Sequence, residues 1–231
     1  MGTTVGRMHI PDGFIDAPTS LAFGVVATAG VAVAIRAARR SLDERAAPLA
    51  GLAAVFVFAA QMINFPVAAG TSGHLLGGAL AAVLVGPAAG VLALTVVLVL
   101  QAFLFADGGL SALGLNVTNI ALLVTVAAWT VFLALRAILP KTRASVTAAA
   151  AIAAFVSVPV SSMGFVLQYA LGGTGTVDLG TVLWSVLSVH VLIGVGEAVI
   201  TGLVVASVMA SRSDLVTGWR PRRAASLSAA A

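Results

Sequence analysis

The sequence predicts an all-α integral membrane protein with seven transmembrane helices, the N-terminus outside and the C-terminus cytoplasmic. Three observations carry this. Of the 231 residues, 60% are hydrophobic and only 9% charged, where a soluble domain carries about 25% charged residues. The apolar residues fall into long runs without strict alternation, which specifies helices rather than barrel strands in lipid. The basic residues sort to one face of the membrane once those runs are threaded through it.

The first apolar run covers about 18–35, and Arg36, Arg39, Arg40, Asp43, Glu44 and Arg45 follow it. A second covers about 46–65 and ends at Asn64-Phe65-Pro66. A small-residue loop, Ala68-Ala69-Gly70-Thr71-Ser72-Gly73-His74, leads to a short apolar stretch, 75–85, that stops at Gly86-Pro87. Residues 88–105 form the next span, then a turn-rich loop from Ala106-Asp107-Gly108-Gly109 to Asn116. The fifth span is about 117–135 and is followed by Arg136, Pro140, Lys141 and Arg143. The sixth, about 145–171, contains Pro159, where a kink is expected. A glycine loop carrying Asp178 precedes the last span, about 181–209. Small residues such as Gly30, Ala34, Gly194 and Gly196 suit close helix packing.

Seven crossings from an outer N-terminus place eleven of the twelve Lys and Arg inside, with only Arg7 outside. Asp12, Asp16, Asp107 and Asp178 fall outside. The short stretch 75–85 spans only about 16 Å as a helix, against a hydrocarbon core of about 30 Å. Omitting it would put Arg136, Lys141 and Arg143 on the wrong side. It is therefore read as a crossing that starts below the outer surface, with His74 in a recess. Irregular backbone at that depth must be buried in protein or line a cavity.

Three regions are expected: an extension 1–7, a membrane domain 8–211 with an N-terminal metal-binding segment, and a basic, disordered cytoplasmic tail 212–231. The net charge of +4 belongs to loop orientation, so no nucleic-acid partner is expected. The chain has no cysteine, hence no disulfides and no thiolate metal site. Residues 1–7 are polar without an apolar core, so no cleavable signal peptide is expected.

Met8-His9-Ile10-Pro11-Asp12-Gly13 offers chemistry where a leader is usual. With Met8 as the mature first residue, its amine, the His9 backbone nitrogen and the His9 ring chelate one ion in two fused rings. One more nitrogen completes a square-planar site suited to Ni(II) or Cu(II). The chain has three histidines, and His74 is the other one in an outer loop. Asp12 is either an acceptor orienting an imidazole or a turn former. His190 and Glu197 share a face of the last span. Ionisable groups there point to an interior or functional position. Gln61, Asn64, Gln101, Asn116, Asn119 and Gln168 are expected to hydrogen-bond between helices. A rival pattern is Gly70-Thr71-Ser72-Gly73 with His190, the skeleton of a rhomboid-like intramembrane serine protease using Ser72 as nucleophile and His190 as base.

Four stretches together resemble the CbiM/NikM family. They are Met8-His9-Ile10-Pro11-Asp12-Gly13-Phe14; Asn64-Phe65-Pro66 through Gly70-Thr71-Ser72-Gly73-His74 to Gly86-Pro87; Gln101 through Leu110 with Ala112-Leu113-Gly114 and Asn116; and His190 through Glu197. The resemblance covers about 8–209. It implies a substrate-specific component of an energy-coupling factor transporter for cobalt or nickel, with seven helices and an outer N-terminus. The metal would be held by the Met8 amine, the His9 backbone and ring nitrogens, and the His74 ring. Co2+ or Ni2+ is then a transported ligand rather than a cofactor, and no catalytic residue is assigned. Implied partners are a membrane coupling subunit, two cytoplasmic ATPase subunits, a small auxiliary membrane subunit and the bilayer of a prokaryotic cell membrane. The chain itself lacks a G-x-x-x-x-G-K-[ST] phosphate loop. It is expected to be the unfused form. Residues 1–7 depart from the family's exposed Met-His start. The amine ligand therefore requires initiation at Met8 or trimming to it.

Overall fold

A computed structural model describes residues 9–41, 46–62, 65–68, 71–217 and 219, with side chains for 9–40, 47–62, 74–217 and 219. Helix α1 spans Ala17–Ser41, six residues past the expected end. Arg36, Arg39 and Arg40 extend it because arginine is a good helix former and its charge suits a helix C-terminus. Asp16 starts it: the Thr19 N–H donates to Asp16 Oδ1 at 2.9 Å. Hydrogen bonds from Thr19 hold the Asp16 carboxyl below the usual carboxylate range.

Helix α2 spans Ala46–Met62, ending before the expected Phe65. Beyond it lies an element the sequence reading did not foresee. Strands β1, Phe65–Ala68, and β2, Thr71–Gly73, pair antiparallel with Phe65 opposite Gly73 and Pro66 opposite Ser72. The small-residue loop thus satisfies backbone groups through a local ladder. Asn64 and Gly70 lie outside the described residues, as does the side chain of Ser72.

Helix α3 is short, Gly78–Val85, and every residue from Gly78 to Leu84 is buried. Helix α4, Pro87–Leu104, opens with proline at its first turn, where the missing N–H costs nothing. A continuous rod then joins α5, Leu113–Asn116, a π-helical segment, Val117–Leu123, and α6, Val124–Ile138. Helix α7, Arg143–Gly172, continues through Pro159. Helix α8 spans Leu179–Ser211.

Among the described residues, five helical stretches are long and apolar enough to cross a membrane: Ala17–Arg40, Pro87–Leu104, Leu113–Ile138, Arg143–Gly172 and Leu179–Ser211. A sixth apolar helix, Ala47–Met62, is shorter. Large apolar side chains face outward, including Leu21, Ile138, Trp184 and Leu203, as a lipid-facing surface requires. The inner half of the bundle is packed on small residues. Ala149, Ala150, Ala153 and Ala154 of α7 meet Val205 and Met209 of α8, Leu80 and Val83 of α3, and Phe132 of α6. Side chains this small allow close backbone approach where lipid gives no hydrophobic drive. Val216 joins this core, and Thr217 Oγ1 donates to Leu84 O at 3.0 Å. The beginning of the C-terminal tail is therefore docked on α3. Arg220, Arg222 and Arg223, and the disorder expected of the remaining tail, lie outside the described residues.

Candidate metal centre

The N-terminal segment is threaded into the bundle rather than left on its surface. The Ile10 N–H donates to Asn116 Oδ1 at 3.0 Å, and Asn116 Nδ2 donates back to Ile10 O at 3.2 Å. The Gly109 N–H also donates to Ile10 O, at 2.9 Å. Asp12 Oδ1 accepts from the Ser111 N–H at 2.7 Å and from Ser111 Oγ at 2.6 Å. Asp12 thus ties the segment to the loop after α4. On the other flank, the Asp16 N–H donates to Gly172 O at 2.7 Å, and Thr174 Oγ1 donates to Gly13 O at 2.7 Å. The Phe14 ring packs on Phe165 and Tyr169, with centroids 5.9 and 5.8 Å away.

The loop under this segment needs two glycines. Gly108 has φ +93°, and a Cβ there would press on His9 Cβ at 3.0 Å. A Cβ on Gly109 would collide with the Asp12 backbone nitrogen. Close backbone approach is what glycine permits.

This threading brings His9 to His74. Their rings meet edge to face, centroids 4.9 Å apart and planes at 69°. Both residues are buried, at 5% and 6% exposure. His74 Nδ1 sits 2.8 Å from Leu75 O. A ring nitrogen facing a carbonyl carries the proton, which leaves Nε2 as the ligating lone pair. His9 Nδ1 lies 3.4 Å from Asp107 Oδ2, and neither His9 ring nitrogen makes a hydrogen bond among the described residues. A buried polar group left unsatisfied costs about 1–3 kcal/mol. The His9 ring is thus held ready for a partner.

The backbone that carries His74 is clamped from three helices. The Leu76 and Gly77 N–H groups donate to Glu197 Oε2 and Oε1, at 2.8 and 2.7 Å. Gln61 Nε2 donates to Leu76 O at 2.9 Å, and Gln101 Nε2 donates to Gln61 Oε1 at 2.9 Å. Glu197 is fully buried and satisfies the buried amides of Leu76 and Gly77 at the entry to α3, where negative charge is favoured. Sequence reasoning placed Glu197 beside His190 without a role. Its spacing on the helix face could not reveal that its target is a loop more than a hundred residues earlier. Asn119 and Gln168 pair reciprocally, at 2.8 and 3.1 Å.

His9 and His74 line one cavity of about 250 Å³, together with Asn116, Asn119, Ser161, Ser162 and His190. All three histidines of the chain therefore border the same space. Among the described residues no three His, Cys, Asp or Glu side chains converge to hold an ion unaided. Met8 lies outside the described residues.

A family model described as CbiM, cobalt uptake substrate-specific transmembrane region, matches residues 9–215. A chain of Haloquadratum walsbyi named for metal transport is 37% identical over 209 residues, covering 90% of this chain and 93% of that one. A chain of Archaeoglobus fulgidus, named as a fused nickel transport protein NikMN, is 35% identical over 209 residues, covering 90% of this chain and 68% of that one. A crystal structure of a truncated transition metal transporter superposes with a TM-score of 0.78 at 29% identity, covering 88% of this chain and 99% of that one. With a match running from the first buried histidine to the end of the last helix, the chain belongs to the CbiM family.

Proposed function

We propose that this multi-pass membrane protein captures Co2+ or Ni2+ as cargo, using His9, His74 and the Met8 amine, and passes it inward. Membership of the cobalt uptake family supports the transport role. The protease reading of Ser72 with His190 draws nothing from that membership and is set aside. The observation that carries the site is the buried His9–His74 pair, whose His9 ring nitrogens make no hydrogen bond among the described residues.

The ligand set is four nitrogens: the Met8 amine, the His9 backbone nitrogen, the His9 ring and the His74 ring. It requires a chain that begins at Met8. Such a set discriminates by geometry, since Cu(II) outcompetes Ni(II) and Co(II) at most nitrogen sites. Seven crossings with an outer N-terminus remain our topology. Arg39 and Arg40 close α1, and Arg136 lies in the last turn of α6, as the positive-inside rule asks. The buried α3 serves as the short crossing and starts from the recess that holds His74. The membrane domain is 8–211, with 1–7 absent from the mature chain and 212–231 a cytoplasmic tail. Energy would come from two cytoplasmic ATPase subunits through a membrane coupling subunit, with a small auxiliary membrane subunit. The A. fulgidus relative, named as a fusion, supports association with further transporter parts.

The test is an intact mass of the protein taken from its native membrane under conditions that keep bound metal. A chain starting at Met8 with one Ni or Co is expected. A chain that keeps residues 1–7 and takes up neither added metal would overturn the amine-chelate site.

A further inference from the structure

The metal site as described leaves one histidine of the cavity unused. His190 lies on α8, roughly 16 Å along the helix from Leu179 at 1.5 Å per residue. An imidazole at that depth is expensive unless it has work to do. It makes no hydrogen bond to another helix among the described residues. Among the described residues its ring makes one hydrogen bond, from Nδ1 to Val186 O of its own helix at 2.8 Å. That bond fixes the tautomer as in His74. Nδ1 carries the proton, and Nε2 keeps its lone pair. A carbonyl-anchored imidazole with a free second nitrogen is the usual state of a metal-ligating histidine.

Several oxygens bordering the cavity with it also offer lone pairs. Ser161 Oγ spends its proton on Asn119 O at 2.9 Å, and Ser162 Oγ spends its proton on Pro159 O at 2.7 Å. Each hydroxyl therefore has only oxygen lone pairs left to offer. Asn119 Nδ2 gives one of its two protons to Gln168 Oε1, while Asn119 Oδ1, which accepts from Gln168 Nε2, retains a second lone pair. Asn119 belongs to the π-helical segment, an irregularity often found at functional sites. No Lys or Arg is among the residues lining the cavity. Lone pairs without a fixed positive charge suit a cation and repel an anion. Among the described residues the three histidines do not form one metal-holding group.

We propose that His190 Nε2, with oxygens of Ser161, Ser162 and Asn119, forms a second, weaker station for the same divalent ion inside the cavity bordered by His9 and His74. This rests on the metal-transport reading above and adds a neighbouring position for the ion when it leaves the first. A nitrogen with hard oxygens binds more weakly than four nitrogens, which suits a place of transit.

The full chain, purified in detergent and stripped of metal, is titrated with Co2+ alone, whose visible spectrum reports imidazole ligation. Thermal unfolding checks that each variant is folded. H74A removes the first ring and is expected to keep a residual Co2+ signal. H74A/H190Q and H74A/H190N keep a polar side chain without an imidazole. Both are expected to bind at least about tenfold more weakly than H74A. A double variant that binds like H74A, or an H74A variant without residual binding, overturns the second station. Equal binding by the parent and H74A overturns the His9–His74 site itself, and the proposal with it.

Discussion

His9 and His74 stand ring to ring, 4.9 Å between centroids, although one lies ahead of the first helix and the other follows a hairpin after the second helix. The contact exists because two separate anchors converge. Asn116 and Gly109 hold the segment of His9 by Ile10. Glu197 holds the loop of His74 by Leu76 and Gly77.

Removing one ring should open the site without unfolding the bundle. His74→Ala is expected to weaken Ni2+ or Co2+ binding by at least about a hundredfold. Equilibrium dialysis with metal analysis reads the loss. Unaltered affinity would remove His74 from the site.

Binding should weaken in acid. Each ligand nitrogen must be unprotonated to hold the ion, so protons compete with metal. An ordinary α-amine, such as the one proposed at Met8, begins to bind protons below about pH 8. Affinity is therefore expected to fall steadily as pH is lowered from 8 to 5. A flat profile would speak against nitrogen ligands.

The Glu197 clamp should matter to both stability and affinity. Glu197→Ala leaves the buried amides of Leu76 and Gly77, just ahead of α3, without an acceptor, at about 1–3 kcal/mol each. Thermal unfolding should drop and metal affinity should fall with it. Glu197→Gln keeps one carbonyl oxygen and should lie between parent and alanine. An alanine variant of full stability and full affinity would show that the loop is held by other means.

Gly109→Ala tests the threading from the far side. Its Cβ would collide with the Asp12 backbone nitrogen, at a cost of about 1–3 kcal/mol. The N-terminal segment should shift away from the loop, and metal release should quicken. Stopped-flow transfer of metal to a chelator measures this, and an unchanged rate would mean the segment tolerates the methyl group.

Asp16 gives a pH effect of opposite origin. Its carboxyl is held low by hydrogen bonds from Thr19. The charged form is therefore the one the fold favours. Its contribution is present above the ordinary carboxylate value of 3.8 and is lost as pH falls through the lower folded value. Asp16→Ala should remove this acid sensitivity from the thermal unfolding profile below about pH 4, and an identical profile would sink the assignment.

The sequence by itself determined the solvent, the helical class and the approximate spans. Each follows from long-range composition and from hydrophobic runs, which are local properties of the chain. It also marked His9 and His74, because histidines in a chain with only three are conspicuous beside glycine and proline. The hairpin of Phe65–Ala68 and Thr71–Gly73 was not legible, since small residues carry no strand pattern. Nor was the role of Glu197, Asn116 or Gln61. Each acts on the backbone of a distant segment, and a backbone amide or carbonyl looks the same at every position in a sequence. Only the tertiary structure decided which loop each polar side chain would hold. It also decided that all three histidines would border one cavity, because helix packing, not spacing along the chain, brings those segments to the same place.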